Sequence, residues 1–427
     1  MTEALLHYVW QHQLFAKSEL QTISGKPFSI IHPGFYNQHA GADFFHAKLK
    51  FEDVLLNGNV ELHIHQADWN KHRHQHDKAY NNTILHVVYE AVPHASETEA
   101  GEAVETLELK PLLDRQLLLR YEKLMEEQRQ IPCEAHFAEH CGQFSFTHFL
   151  ERLNVERLEQ KVRSIQQLLV QSKHHWDEVA YRLIASYLGG PVNKEPMLQL
   201  TALLPLSLLA KYADERFRLE ALLFGQAGLL ETELEEEFPK RLQQEYRYLK
   251  RLHHLDPMNG SVWKFLRMRP ASFPTVRIAE LAALLHKNAF LFSEIIETAH
   301  AEQIHQLLSV TLDDYWKDHA RFGQPLARHQ IQLGAASRES LVINAVAPLL
   351  FAYGKRYNEN DKCELAMELL RQTPAENNAI TRFYETFGVA ITSAQTTQAL
   401  LQLKQHYCNT RRCLQCDIGR KVLFGKE

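Results

Sequence analysis

The apolar pattern of this chain changes period near Gly142, and that change limits what it can fold into. Before it, stretches with helical spacing alternate with stretches of two-residue alternation. After it, the pattern is helical almost throughout. Residues 2–16 carry Leu6, Trp10 and Leu14 on one helical stripe. Gly41 to Glu52 is strand-like, Asn57-Gly58-Asn59 predicts a hairpin turn, and Val60–His65 predicts a second strand. A polar, helix-compatible stretch follows over 69–80, then the β-branched run Thr83–Tyr89 of a buried strand. The coarse order is α–β–β–α–β. Residues 93–104, acidic and rich in small side chains, predict an exposed loop. Leu107–Glu126 predicts a strand end followed by a helix.

Beyond Gly142, Leu158, Val162, Ile165 and Leu169 step by four, three and four, which is one helix face. Trp176–Leu188 runs into Gly189-Gly190-Pro191, a helix stop. Further helical runs are expected over 194–232, 239–255, 276–287, 289–309, 339–353, 360–372 and 395–406. The predicted fold is mixed α+β but mostly α. A small N-terminal α/β domain over 1–142 precedes a large all-helical domain over 143–427. A length of 427 residues exceeds what one core serves, which agrees with such a division.

Chemistry concentrates on the predicted strands. Asp43 stands at the start of one and Glu61 on the next, so a hairpin can bring the two carboxylates together around a divalent cation such as Mg²⁺ or Mn²⁺. The period of two places Glu61, His63 and His65 on one face, which makes His63 and His65 further candidate ligands. His86 lies in a very apolar strand and reads as a hydrogen-bonded core histidine. His72 and His76 are four apart and would share a helix face, but Arg73 stands where a zinc protease has its glutamate. The run 72–76 is therefore expected to be a solvated helix, with His76 and Tyr80 edging the site.

Two resemblances attach to these residues. The strand order, with Gly41-Ala42-Asp43-Phe44 opening one strand and Glu61-Leu62-His63 on the next, resembles the core of the PD-(D/E)XK nucleases over 1–90. That resemblance implies a metal held by Asp43 and Glu61, with His63 as the third catalytic residue. His63 stands where the family carries a lysine that helps the attacking water, so a permanent positive charge is missing. Tyr80 matches the end of a Gln-x-x-x-Tyr motif of the exonuclease branch, with His76 in the glutamine's place. Over nearly its whole length the chain also resembles an uncharacterised bacterial family of unknown function. Gly58-Asn59-Val60-Glu61-Leu62-His63, Asp68-Trp69, Leu85–Tyr89, Phe265–Pro270, and Cys408 with Cys413-Leu414-Gln415-Cys416 carry that likeness. It implies no activity.

Cys408, Cys413 and Cys416 form Cys-x4-Cys-x2-Cys, a spacing able to surround a zinc ion or an iron-sulfur cluster. The fourth ligand must come from elsewhere, and Cys133 is the leading candidate, with Cys141 and His406 as alternatives. Cys363 reads as packing. In Trp263–Arg277, Arg267, Arg269 and Arg277 stand among aromatic residues and form a candidate nucleic-acid surface, with structural arginines at a tight corner as the alternative.

The net charge of −5 argues against coating nucleic acid by bulk attraction but leaves a local basic groove open. No signal peptide and no run long enough to span a bilayer is seen, so no membrane partner and a cytoplasmic location are expected. The leading expectation is a metal-dependent nuclease-like protein, active or degenerate, with DNA or RNA as its partner. The alternatives are a non-catalytic binding or scaffold protein, and a metal-dependent hydrolase with another substrate.

Overall fold

The computed structural model describes residues 1–37, 39–92, 96–298, 301–326 and 331–425. The chain divides into two compact units, Met1–Phe146 with Lys404–Glu427, and Thr147–Leu403. The cysteine-bearing tail thus groups with the N-terminal unit, whereas the sequence reading leaves it with the helices.

The first unit is a mixed β-sheet with flanking helices. Helix α1 (Glu3–Gln11) is capped by the Thr2 side chain and buries Leu5, Leu6, Val9 and Trp10. Strands β1 (Phe28–His32), β2 (Phe35–Tyr36), β3 (Phe44–Phe51) and β4 (Val54–His65) follow, then the short helix α2 (Asp68–Lys71) and strand β5 (Thr83–Glu90). Strands β6 (Ser96–Glu97) and β7 (Ala103–Val104) form a small hairpin, and β8 (Thr106–Glu108) leads to helix α3 (Arg115–Glu126). In the main sheet the order is β1-β3-β4-β5-β8, with β2 also pairing with β3. The pairs β1/β3 and β3/β4 are antiparallel; β4/β5 and β5/β8 are parallel.

The α–β–β–α–β order is present, with β1 and β2 added before it. The expected loop over 93–104 holds the β6/β7 hairpin, while Pro93, His94 and Ala95 lie outside the described residues. The expected turn at Asn57-Gly58-Asn59 is corrected. The reversal occurs between Phe51 and Val54, which pair, with Glu52 at φ 48° supplying the left-handed turn residue. Asn57, Gly58 and Asn59 lie inside β4 instead.

Glycine is needed at 58 for space. A Cβ there would meet Ile84 Cγ2 at 2.4 Å and the Asn82 carbonyl oxygen at 2.7 Å. Gly58→Ala is therefore expected to weaken the β4/β5 pairing by about 1–3 kcal/mol, the usual cost of overpacking. Amide hydrogen exchange over residues 54–65 and 83–90 would read this as acceleration of about tenfold or more.

Helices dominate the second unit. Leu158, Val162, Ile165 and Leu169 are buried on one face of Phe144–Gln171, and Trp176–Leu188 ends at Gly189 as the periodicity predicts. One correction applies to "all-helical": His319–Arg321 and Gln324–Pro325 form a short antiparallel ribbon. No helix among the described residues is long and apolar enough to cross a membrane.

Candidate metal centre

Strand β4 is buried on both faces over Asn59–His63, between β3 and β5, so its polar side chains must find partners inside the protein. Asp43 and Glu61 interlock: Asp43 N–H donates to Glu61 Oε2 at 3.0 Å, and Leu62 N–H donates to Asp43 Oδ2 at 3.0 Å. His7, on α1, places Nε2 3.2 Å from Asp43 Oδ2, and its Nδ1 lies 3.4 Å from the Tyr36 hydroxyl. Asp43 and Glu61 are thus neighbours through each other's backbone, as the hairpin argument expects.

The expected helix over 69–80 does not form. α2 stops at Lys71, Arg73 adopts φ 65°, and two short 3₁₀ turns follow over His74–His76 and Lys78–Tyr80. This break creates the site. On a continuous α-helix, residues two apart point about 200° from each other. With Arg73 left-handed, His72 and His74 instead turn toward the same point.

His63 Nε2 lies 3.0 Å from His72 Nδ1. Donor atoms of His63, His72 and His74 all lie within 4.8 Å of one another, a compact set for one ion. Glu61 joins them, with Oε1 3.6 Å from His63 Nε2 and 3.3 Å from His74 Nε2. His74 Nε2 is buried and has no aligned hydrogen-bond partner. It is the orphaned donor that a ligand role would satisfy.

Behind this set runs a relay of buried polar groups. His63 Nδ1 lies 2.9 Å from His86 Nε2, and His86 Nδ1 lies 2.8 Å from Ser96 Oγ. His86 is the hydrogen-bonded core histidine the sequence suggests, and the chain fixes the ring plane and tautomer of His63. Trp69, fully buried, donates its indole N–H to Glu97 O at 2.9 Å and meets the rings of His74, Tyr80 and His86. Tyr80 stacks on His74 with ring centroids 3.9 Å apart.

Burial sets the charge states. It pushes His63 down to about 4, with the neighbouring His74 and His72 adding to the effect, and pushes His86 well below its usual range. Glu61 is raised, first by burial, against the opposing pull of His74. Tyr80 is pushed up to about 12, by burial and then by Glu61 and Asp43. The centre therefore holds a buried carboxylate beside imidazoles that burial favours as neutral, the form that ligates metals.

Three imidazoles and one carboxylate suit a first-row transition ion or zinc better than Mg²⁺, which prefers an all-oxygen shell. His65, expected as a ligand, sits at the exposed end of β4 with Nδ1 3.5 Å from Glu90 Oε2, away from the cluster. Asp43 faces His7 and the Leu62 amide. The solvated helix expected to carry His72 and His74 is replaced by the turn that aims them inward; the one signal in the sequence that favours them is their closeness to Trp69 in an otherwise polar stretch.

The other candidates lie elsewhere. Cys133, Cys408, Cys413 and Cys416 are buried and Cys141 and Cys363 half-buried; none of the six is in a disulfide. No three cysteine sulfurs, among the described residues, approach as closely as the histidine donors do. Arg267 and Arg269 are exposed, with Arg267 at φ 60°. Arg277 turns inward, donating to Glu280 Oε2 at 2.7 Å and Ser337 Oγ at 3.0 Å, which is the structural alternative for that arginine.

No curated protein and no solved structure matches the chain. A family model described as "Protein of unknown function (DUF2851)" matches residues 3–379. With that match covering most of its length, the chain belongs to the DUF2851 family.

Proposed function

We propose that this protein is a metal-dependent phosphodiesterase of nuclease-like architecture, with Glu61, His63, His72 and His74 as metal ligands and Asp43 beside them. The observation that carries the reading is the convergence of these four side chains, one with an orphaned buried nitrogen, next to the Asp43–Glu61 interlock. The element order around them supports it: a strand opened by Asp43 pairs antiparallel with a strand bearing Glu61-Leu62-His63, which pairs parallel with β5. PD-(D/E)XK nucleases have the same sequence of parts.

A divalent ion in this set supplies a Lewis acid for a phosphoryl oxygen and an acidified water. The chain's own groups do the rest. Glu61 brings negative charge into a buried place where the neighbouring rings carry little positive charge to offset it, which favours a cation. His63, held by His86, is a positioned neutral ligand and takes no part as the family's lysine would. Asp43, half-exposed and beside His7, is the acid placed to receive a proton or orient water at the edge of the centre.

A second reading is favoured by one observation. Three histidines and one glutamate are enough to fill a tetrahedral shell, and closed four-ligand sites are structural. One experiment separates the two: cleavage of single- and double-stranded DNA and RNA by the full chain loaded with Mn²⁺, Zn²⁺ or Mg²⁺, beside Asp43→Asn. The enzymatic reading expects cleavage with Mn²⁺ or Zn²⁺. Asp43→Asn should lower it at least about 100-fold, a loss typical of removing a catalytic acid–base or charge-stabilising group, with metal content unchanged. A folded, metal-loaded protein that cleaves none of these substrates sinks it in favour of the structural reading.

A further inference from the structure

Four of the six cysteines meet in the N-terminal unit, outside the centre described above. Cys133 follows α3, and Cys408, Cys413 and Cys416 lie in the C-terminal tail, yet the two stretches are locked together. Lys404 Nζ donates to the Gln130 carbonyl oxygen at 2.9 Å. Arg411 donates to those of Glu127 at 2.6 Å and Leu124 at 3.4 Å. All four cysteines are buried. Each of the three tail thiols is near enough to Cys133 to disfavour its charged form electrostatically.

The backbone around them is unusual in a consistent way. Residues Leu403–Cys408 form a π-helix, a rare conformation concentrated at functional sites, and Cys408 is its last residue. Gly419 presses on the Cys413 backbone, where a Cβ would come within 2.3 Å of the Cys413 carbonyl oxygen. Cys416 precedes the helix Asp417–Phe424, and the amides of Ile418 and Gly419 face its sulfur and favour the thiolate. Arg411 does the same for Cys413. Burial opposes this, raising Cys133 and Cys416 far above a free thiol and Cys413 to about 12. Amide and guanidinium groups aimed at sulfurs that burial keeps protonated are what a bound cation would exploit.

We infer that Cys133, Cys408, Cys413 and Cys416 are the four thiolate ligands of one iron-sulfur cluster that staples the tail to the segment after α3. The spacing selects the cluster over zinc. A single zinc at about 2.3 Å from each sulfur holds them about 3.8 Å apart. Among the described residues, no three of these sulfurs form a set as compact as the histidine donors, which lie within 4.8 Å of one another. A cluster binds its thiolates through separate irons and so spaces them more widely. Each thiol releases its proton to solvent as it binds iron, and no electron transfer is required for the structural role.

The test is independent of the histidine centre. Full-length protein purified without oxygen, or reconstituted with ferrous iron and sulfide under reductant, should carry iron and acid-labile sulfide in equal amounts, with visible sulfur-to-iron absorption. Cys133→Ser and Cys416→Ser should each lose the sulfide and the absorption, while Cys363→Ser, in the helical unit, keeps both. His74→Ala should also keep the sulfide, since an ion held by histidines brings none. Loss of the cluster should expose the tail, so that trypsin cuts after the exposed Arg411 and Arg412 several-fold faster. Reconstituted wild-type protein without labile sulfide overturns the proposal whether or not the variants fold. Zinc bound instead and lost with the same substitutions also overturns it, as does sulfide retained in Cys133→Ser.

Discussion

Replacing His74 with alanine is expected to lower the affinity of the protein for Zn²⁺ or Mn²⁺ by more than about 100-fold. Groups that merely orient a metal ligand cost about 10–100-fold when removed, and His74 is placed as a ligand itself. Its Nε2 is buried, 3.3 Å from Glu61 Oε1, and has no aligned hydrogen bond to lose. The substitution should therefore cost little stability without metal and much with it. An ion at 100 times its dissociation constant stabilises the wild-type fold by about 2.7 kcal/mol, and the variant should forfeit most of that. Isothermal titration checks the affinity, and hydrogen exchange over residues 54–65 with and without metal checks the stability. Equal affinity in the two proteins would remove His74 from the centre.

Trp69→Ala should have the largest effect on the N-terminal unit itself, about 3–5 kcal/mol, the usual cost of truncating a fully buried tryptophan. The ring fills the space among His74, Tyr80 and His86, and the lost indole N–H leaves the Glu97 carbonyl without that donor. Against a typical total of about 5–15 kcal/mol, this is a loss the unit barely survives. Trp69→Phe keeps an aromatic ring in place and gives up the hydrogen bond, so about 1–3 kcal/mol is expected. Hydrogen exchange in β4 and β5 ranks the two variants. Comparable exchange in Trp69→Ala and wild type would show that the ring does not organise the site.

These two residues also mark where the sequence is legible. Helices of the second unit follow from apolar spacing alone, because the stripe of Leu158, Val162, Ile165 and Leu169 lines up on one side only when the chain coils at 3.6 residues per turn. Glu61 and His63 stand out because alternation places both on one side of a strand. The donors from 72 and 74 depend on a left-handed arginine, and nothing about arginine announces φ 65°. Asn57-Gly58-Asn59 has turn composition, yet Gly58 answers to the side chain of Ile84 on a neighbouring strand, a constraint visible only after the sheet is assembled. Phe28–His32, between Pro27 and Pro33, is too short to show a period.

The most direct test of a metal centre at Glu61, His63, His72 and His74 is anomalous diffraction from a crystal of the full chain grown with Zn²⁺. The account predicts a peak about 2.0–2.2 Å from nitrogens of His63, His72 and His74 and an oxygen of Glu61. Folded protein showing no peak at the histidines, with the metal in excess, would contradict it.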